Sequence, residues 1–228
     1  MSTAFPLEQP TVAIHNSEQL FPVHRIYCVG RNYAEHAREM GANPEREAPF
    51  FFCKPADAVV PNHSSIAYPS STKELHHEIE LVVAIGGQGR QVTVDRAQNI
   101  IFGYAVGIDL TRRDLQSQAK KQSRPWDTAK GFDQSAPLTA IHKVKDCGHI
   151  NQGLISLSIN DELKQKGDIA DLIWSVPEII AQLSTLFELK PGDLIFTGTP
   201  AGVGPLNVGD KVLGKIRGLD DLVITISE

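Results

Sequence analysis

The sequence predicts a β-rich α+β fold built as one domain. Apolar runs of strand length outnumber helical patterns, and the two kinds of segment do not alternate regularly, which disfavours a doubly wound parallel sheet. The chain has 228 residues, of which 41% are hydrophobic and 21% charged, and these values are ordinary for a single globular domain. We assign residues 1–20 to an N-terminal arm and residues 21–228 to a single domain.

In the first half of the chain, short apolar runs that end at glycine or proline predict strands. A helix is predicted over residues 33–40, with Gly41 as its C-cap, and another over residues 94–100. The predicted strands span residues 11–14, 25–29, 49–54, 58–60, 78–85 and 101–108.

In the second half, local capping and turn signals define the elements. Thr111 is predicted to cap a helix that ends near residue 122, because Asp114 follows it in the spacing of a capping box. Pro177 suits the first turn of a helix that reaches Leu186. Asn160 and Asp161 are typical of a hairpin turn, and strands are predicted over residues 154–159, 194–197, 211–216 and 221–226.

Charge and cysteine content argue against several classes of protein. The net charge is −5, and the densest basic patch, Lys120 and Lys121 with Arg124, is short, so no nucleic-acid partner is expected. No apolar run can span a bilayer and the N-terminus lacks the pattern of a signal peptide, so no membrane partner is expected. Widely spaced cysteines predict reduced thiols in a cytoplasmic protein: Cys28, Cys53 and Cys147.

Glu78 and Glu80 alternate in one predicted strand, so their side chains point to the same face. Adjacent carboxylates repel each other unless a proton or a cation offsets the charge. Asp109 follows the predicted strand over residues 101–108 and can supply a third carboxylate. Oxygen ligands without histidine or thiol favour a hard cation, namely Mg²⁺, Mn²⁺ or Ca²⁺. The alternative is that the two glutamates form the solvent face of an amphipathic strand.

Three further residues have side chains suited to acid–base or electrostatic catalysis. His36 and Glu39 share one face of a predicted helix, where the carboxylate can orient the imidazole and the imidazole can take a proton from water. Lys130 lies between aromatic residues and a glycine, where it can stabilise an oxyanion in a pocket. The alternatives are a solvated helix surface for the first pair and an exposed loop for the lysine.

Two more segments can face the same region. Arg113 and Gln116 lie three residues apart in the helix predicted after Asp109, although isolated helix residues of this kind are commonly on the surface. Residues 197–204 form a glycine-rich turn after an apolar strand, where backbone N–H groups can bind a carboxylate. This turn lacks the Gly-Lys-Ser/Thr ending of a phosphate-binding loop, and the alternative is a simple tight turn.

Five motifs occur in an order that resembles the fumarylacetoacetate hydrolase family. The resemblance extends from residue 25 to the C-terminus, and residues 21–25 and 54–57 are most similar to the bacterial fumarylpyruvate hydrolase and acylpyruvase members. The motifs are residues 29–36 (VGRNYAEH), Glu78-Ile79-Glu80, Gly107-Ile108-Asp109, residues 129–133 (AKGFD) and residues 198–204 (GTPAGVG).

The resemblance implies a mixed β-sandwich roll and a homodimer. It implies a Mg²⁺ or Mn²⁺ site, with Ca²⁺ as a substitute, at Glu78, Glu80 and Asp109. It also assigns catalytic residues and substrate-binding residues, which are His36, Glu39 and Lys130 for catalysis and Arg31, Lys54, Arg113, Gln116 and Thr199 for the substrate.

The activity that the resemblance implies is metal-dependent hydrolysis of a C–C bond in an acylpyruvate, with fumarylpyruvate giving fumarate and pyruvate. A small 2-oxo acid is therefore the expected partner. The alternatives are an oxaloacetate decarboxylase, and a dienoate isomerase or decarboxylase of aromatic catabolism. A non-catalytic metal-binding module is a further alternative, in which the carboxylates would be fully ligated.

Overall fold

A computed structural model describes residues 4–35 and 47–228, and it confirms the β-rich prediction. The strands of the first half are β1 Thr11–Ala13, β2 Leu20–Pro22, β3 Ile26–Gly30, β4 Phe50–Lys54, β5 Val59–Pro61, β6 Ser65–Ala67, β7 Leu75–His77, β8 Ile79–Ile85 and β9 Ile101–Ile108. Those of the second half are β10 Thr111–Arg112, β11 Ala136–Leu138, β12 His142–Lys143, β13 Leu154–Ile159, β14 Glu162–Asp168, β15 Leu194–Phe196, β16 Gly204–Leu206, β17 Lys211–Ile216 and β18 Leu222–Ser227.

The helices of the described residues are short. They are α1 Val94–Ala97, α2 Arg113–Lys121, α3 Asp127–Lys130, α4 Val144–Cys147 and α5 Val176–Leu186, with 3₁₀ turns at Ala56–Ala58, Gln98–Ile100 and Ile169–Asp171. Helix α5 begins as predicted, with Pro177 in its first turn and a capping box between Ser175 and Glu178. In this part of the chain no helix has both the length and the apolar character needed to cross a bilayer. The helix predicted over residues 33–40 and its cap Gly41 extend outside the described residues.

Two sheets pack face to face. The larger has the order β4-β3-β15-β8-β9-β11-β5, with β12 added beside β9, and the smaller has the order β14-β13-β17-β18-β6. Strand β13 contacts β8, and β17 contacts β9. The β13–β14 hairpin turns at Asn160 and Asp161, whose φ angles of 50° and 67° are the left-handed values that a tight hairpin requires, as predicted.

Both faces of strand β8 are buried, which explains why its sequence is apolar apart from Glu80. Ile79 and Leu81 belong to the core shared with the smaller sheet. Val82, on the other face, packs in a second core with Val12 and Phe21 from the N-terminal β1–β2 hairpin. The division of the chain at residue 20 stays a prediction, although Val12 is buried against the domain.

The helix after Asp109 begins later than predicted, and the proposed cap at Thr111 is wrong. Thr111 lies in β10, opposite His76 of β7, and helix α2 begins at Arg113 without a side-chain cap. The Asp114 carboxylate instead accepts hydrogen bonds from the Thr72 hydroxyl (2.6 Å) and the Lys73 amide (3.0 Å). Pairing with a distant strand therefore overrode a local capping pattern.

A shared carboxylate ties the N-terminal hairpin to the domain. Asp220, between β17 and β18, lies 2.9 Å from His15 Nδ1 and 3.1 Å from His142 Nε2. The two imidazole rings stack with their centroids 3.9 Å apart. Burial alone would raise the pKa of Asp220, but the hydrogen bonds from the two histidines lower it overall.

We expect Asp220→Asn to lower the free energy of unfolding by about 0.5–1 kcal/mol at pH 7, the range of partly exposed ion pairs. A carboxyl with a depressed folded-state pKa contributes stability above its ordinary value, and this contribution is lost as the pH falls through the folded pKa. The difference in unfolding free energy between wild type and variant should therefore shrink below a pH of about 4.

Urea denaturation at pH 7 and at a pH below about 4 checks this expectation. Asp221→Asn, which removes an exposed pair with Lys215, is the control, and an equal effect of both variants at pH 7 would contradict the role of Asp220.

Candidate active site

Glu78, Glu80 and Asp109 converge where β8 and β9 pair. Ile79 lies opposite Ile108 in this antiparallel pair, and the Asp109 amide donates to the Glu78 carbonyl at 2.8 Å. One ligand oxygen of each side chain lies within 4.8 Å of the other two. The three residues are 6%, 2% and 0% exposed, so the alternative that the glutamates face solvent is wrong.

Lys130 holds two of these carboxylates. Its Nζ atom donates to Glu78 Oε2 at 2.8 Å, to Asp109 Oδ2 at 2.6 Å and to the Thr111 hydroxyl at 2.6 Å. An ammonium has three donors, so all of them are used. Burial disfavours the charged form, but Asp109 and Glu78 raise the pKa of Lys130 overall. The lysine therefore stays protonated, and the alternative of an exposed loop lysine is wrong.

Two further cations flank the carboxylates. Lys54 Nζ lies 2.8 Å from Asp109 Oδ1 and donates to the carbonyls of Leu110 and Lys130. Arg113 donates to Glu78 Oε1 at 2.5 Å through one nitrogen and to Gln116 Oε1 at 2.5 Å through another. Arg113 and Gln116 thus face this region and are buried. Each of these cations reduces the repulsion between the carboxylates of the cluster and fixes the orientation of the carboxylate that it contacts.

Glu80 receives no such lysine or arginine contact among the described residues. Its Oε2 atom accepts a hydrogen bond from the Gly198 amide at 2.7 Å. Burial, followed by repulsion from Asp109 and Glu78, raises the pKa of Glu80 well above its ordinary value. Gly198 has a φ of +100°, and a Cβ there would lie 2.7 Å from Asn32 Cβ, so only glycine allows this amide to reach the glutamate.

The three carboxylates fit a hard divalent cation. The three ligand oxygens lie within 4.8 Å of one another, which is about the widest separation that one ion can span at metal–oxygen distances of about 2.0–2.6 Å. Asp109 Oδ1 is buried and accepts no well-directed hydrogen bond from the described residues. Among residues 4–35 and 47–228, neither a thiol nor an imidazole belongs to the cluster, and these oxygen ligands suit a hard divalent cation such as Mg²⁺ or Mn²⁺.

A pocket lies beside the carboxylates. Of the predicted site residues, the pocket is lined by Arg31, Glu78, Glu80, Arg113, Gln116, Lys130 and Thr199. Lys54 is not among the lining residues, since its ammonium points to Asp109, and its role in substrate binding stays a prediction. His36 and Glu39 lie outside the described residues.

Sequence reasoning missed several lining residues, namely Phe50, Phe52, Lys120 and Trp126. Lys120 follows Arg113 by seven residues and Gln116 by four, so the helical periodicity that connected Arg113 with Gln116 also includes it. The aromatic residues carried no comparable signal, because they come from strand β4 and from the loop before α3.

The comparisons with known proteins identify the family of this chain. The profile of the fumarylacetoacetate (FAA) hydrolase C-terminal family matches residues 25–227. Fumarylpyruvate hydrolase from Ralstonia sp is 43% identical over 180 residues, covering 79% of this chain and 93% of that protein. Oxaloacetate tautomerase from Escherichia coli (strain K12) is 44% identical over 193 residues, covering 84% and 88%.

A solved structure is similar over almost the whole chain. The crystal structure of fumarylpyruvate hydrolase from Pseudomonas aeruginosa in complex with Mn²⁺ and pyruvate has a TM-score of 0.98 and 51% sequence identity, and the match covers 99% of each chain. The predicted fold of the fumarylacetoacetate hydrolase type is thereby confirmed. On its sequence and its fold, this chain belongs to the fumarylacetoacetate hydrolase family.

Proposed function

We propose that the protein hydrolyses a C–C bond of an acylpyruvate, and that fumarylpyruvate, which gives fumarate and pyruvate, is its substrate. The observation that carries this proposal is the match over 99% of both chains to a fumarylpyruvate hydrolase crystallised with Mn²⁺ and pyruvate. The buried carboxylate cluster beside a pocket supports it, because a 2-oxo acid can share a hard cation with such ligands.

We propose further that Glu78, Glu80 and Asp109 hold Mg²⁺ or Mn²⁺. When bound, the ion supplies a Lewis acid for the 2-oxo acid end of the substrate. Lys130 has no free donor while it binds Glu78, Asp109 and Thr111. Its ammonium can therefore donate to a substrate oxyanion only after one of these acceptors has turned away from it. Arg113 keeps Glu78 in place throughout, since it contacts the other oxygen of that carboxylate.

In the proposed reaction, His36, oriented by Glu39, removes a proton from water, and the water oxygen bonds to the distal carbonyl carbon. Lys130 donates to the oxygen that becomes negative. The C–C bond then breaks, and its electron pair passes to the pyruvate fragment, whose terminal carbon is finally protonated. The two products are a carboxylic acid and pyruvate.

Oxaloacetate is the second candidate substrate, because the Escherichia coli oxaloacetate tautomerase is as similar in sequence as the Ralstonia hydrolase. Interconversion of keto and enol oxaloacetate moves a proton without breaking a C–C bond, and decarboxylation breaks one without water. Neither reaction needs a water-activating histidine. A variant of His36 therefore separates hydrolysis from decarboxylation. Keto–enol interconversion, which does need a group that moves a proton, is distinguished because it releases no pyruvate.

We expect the protein, assayed with Mn²⁺, to release pyruvate from fumarylpyruvate with a higher kcat/KM than from acetylpyruvate or oxaloacetate. His36→Ala should lower hydrolysis about 10²- to 10⁴-fold, the usual contribution of a general base. His63→Asn, at an exposed histidine with a φ of 64°, is the matched control. Preferred turnover of oxaloacetate by the wild type, undiminished in His36→Ala, would replace the hydrolase proposal with the second candidate.

The homodimer and the cytoplasmic location that were expected from the sequence stay predictions. So does the choice between Mg²⁺ and Mn²⁺ as the ion used in the cell.

A further inference from the structure

One face of helix α2 runs the length of the pocket. Arg113, Gln116 and Lys120 all line it, and their spacing of three and then four residues places them on the same side of the helix. Arg113 contacts Glu78 at the carboxylate cluster. Lys120 lies seven residues farther on, which is about 10 Å along the helix axis. The pocket therefore has a metal-binding end and a distant end that carries Lys120.

Aromatic side chains form a wall between these two ends. The Phe52 ring centroid lies 5.1 Å from Lys130 Nζ and 5.8 Å from the Trp126 centroid. Trp126 in turn lies 5.3 Å from Lys120 Nζ, and Phe50 meets its edge at 5.2 Å with an interplanar angle of 86°. A wall of this kind suits a flat, conjugated chain rather than a hydrated polar one.

The cations at the distant end have no acidic partner in the part of the chain that the structure describes. Lys54, Arg113 and Lys130 are each paired with a carboxylate of the cluster. Lys120 and Arg31 instead contact aromatic rings, with Arg31 Cζ 5.7 Å from the Phe50 centroid. Across residues 4–35 and 47–228, neither of these two lies within ion-pair distance of an aspartate or a glutamate. Two unpaired cations beside an apolar wall are suited to an anionic ligand group.

The electrostatics of Lys120 agree with this arrangement. The side chain is half-buried, and burial lowers its pKa. The positive charges of Arg113 and Arg31 lower that pKa further. A carboxylate beside Lys120 would relieve this repulsion and stabilise the charged form of the lysine.

We propose that Lys120, assisted by Arg31, binds a second carboxylate at the far end of the substrate. This subsite selects acylpyruvates whose acyl chain is flat and ends in a carboxylate. The inference rests on the proposed function, because the 2-oxo acid group must first be fixed at the carboxylate cluster. Acetylpyruvate has no second carboxylate to place beside these two cations.

The test compares Lys120→Met with wild type on fumarylpyruvate and acetylpyruvate in the presence of Mn²⁺. Removing a charged hydrogen-bond partner should lower kcat/KM for fumarylpyruvate about 10- to 100-fold, mainly through KM. The kcat/KM for acetylpyruvate should change by less than about threefold. Lys120→Arg should retain most of the preference for fumarylpyruvate. Lys121→Met removes the same charge from the adjacent, exposed position of the helix and should leave both substrates unaffected.

Equal losses on both substrates in Lys120→Met would overturn the subsite while leaving the hydrolase proposal intact. If the wild type cleaves neither substrate, the hydrolase proposal fails, and binding of the two acylpyruvates then tests the subsite. Quenching of tryptophan fluorescence gives the dissociation constants, since Trp126 lines the pocket. A preference for fumarylpyruvate that Lys120→Met removes would uphold the subsite, and equal affinities in the wild type would overturn it.

Discussion

Glu80→Gln is expected to remove metal-dependent turnover while leaving the protein folded. Loss of a ligand should cost more than the 10- to 100-fold effect that is typical of residues outside the coordination shell, so we expect kcat/KM to fall by at least about 100-fold. The fold should survive because the side-chain carbonyl oxygen of the introduced glutamine can still accept the Gly198 amide. Asp109 and Glu78 repel the carboxylate of Glu80 but not the neutral amide of glutamine. The metal-free variant should therefore melt at no lower temperature than the metal-free wild type.

Turnover and melting temperature, each measured with and without Mn²⁺, check this expectation. A ligand that binds only the folded state raises its stability, so Mn²⁺ should raise the melting temperature of the wild type but not that of Glu80→Gln. Glu74→Gln, which changes an exposed glutamate in front of β7, is the control and should behave as wild type. Normal turnover and a normal response to Mn²⁺ in Glu80→Gln would remove Glu80 from the metal site.

Lys130→Met should destabilise the metal-free protein by about 3–5 kcal/mol, the cost of removing one partner from a buried charge pair. The ammonium is 2% exposed and binds Glu78 and Asp109, both of which stay buried in the variant. Mn²⁺ should recover part of this loss, because it offsets the same carboxylates. Hydrolysis should not recover, since methionine cannot donate to an oxyanion.

Urea denaturation with and without Mn²⁺ measures the change in stability, and a pyruvate-release assay measures hydrolysis. Lys145→Met removes an exposed lysine from helix α4 and should change the free energy of unfolding by less than about 0.5 kcal/mol. A loss below about 1 kcal/mol in Lys130→Met would mean that the carboxylates do not depend on this lysine.

Strands that pair over their full length and are buried on both faces could be predicted from the sequence. Ile79–Ile85 and Ile101–Ile108 are runs of strand length that are apolar apart from Glu80, and the structure pairs them as neighbours. The three-stranded sheet β10-β7-β16 could not be predicted in the same way. Its strands are two or three residues long, and β7 contains His76 and His77, so only contacts with distant residues reveal it.

The three residues of the carboxylate cluster could be predicted from the sequence, but the burial and the contacts of their side chains could not. The spacing of Glu78, Glu80 and Asp109 predicted convergence, which the pairing of β8 with β9 produces. Burial of Glu80 depends on Gly198 and on packing from both faces of β8, and no local pattern contains that information. In the sequence, Lys120 belongs to a short basic patch with Lys121 and Arg124, and that pattern does not indicate that Lys120 lines the pocket while Lys121 is exposed.

The most direct test of the metal-dependent acylpyruvate hydrolase is pyruvate release from fumarylpyruvate by protein stripped of divalent ions. We predict no release above background in the presence of excess chelator, recovery of turnover when Mn²⁺ or Mg²⁺ is added, and no recovery in Glu80→Gln. Undiminished pyruvate release in excess chelator, equal in wild type and Glu80→Gln, would contradict the account.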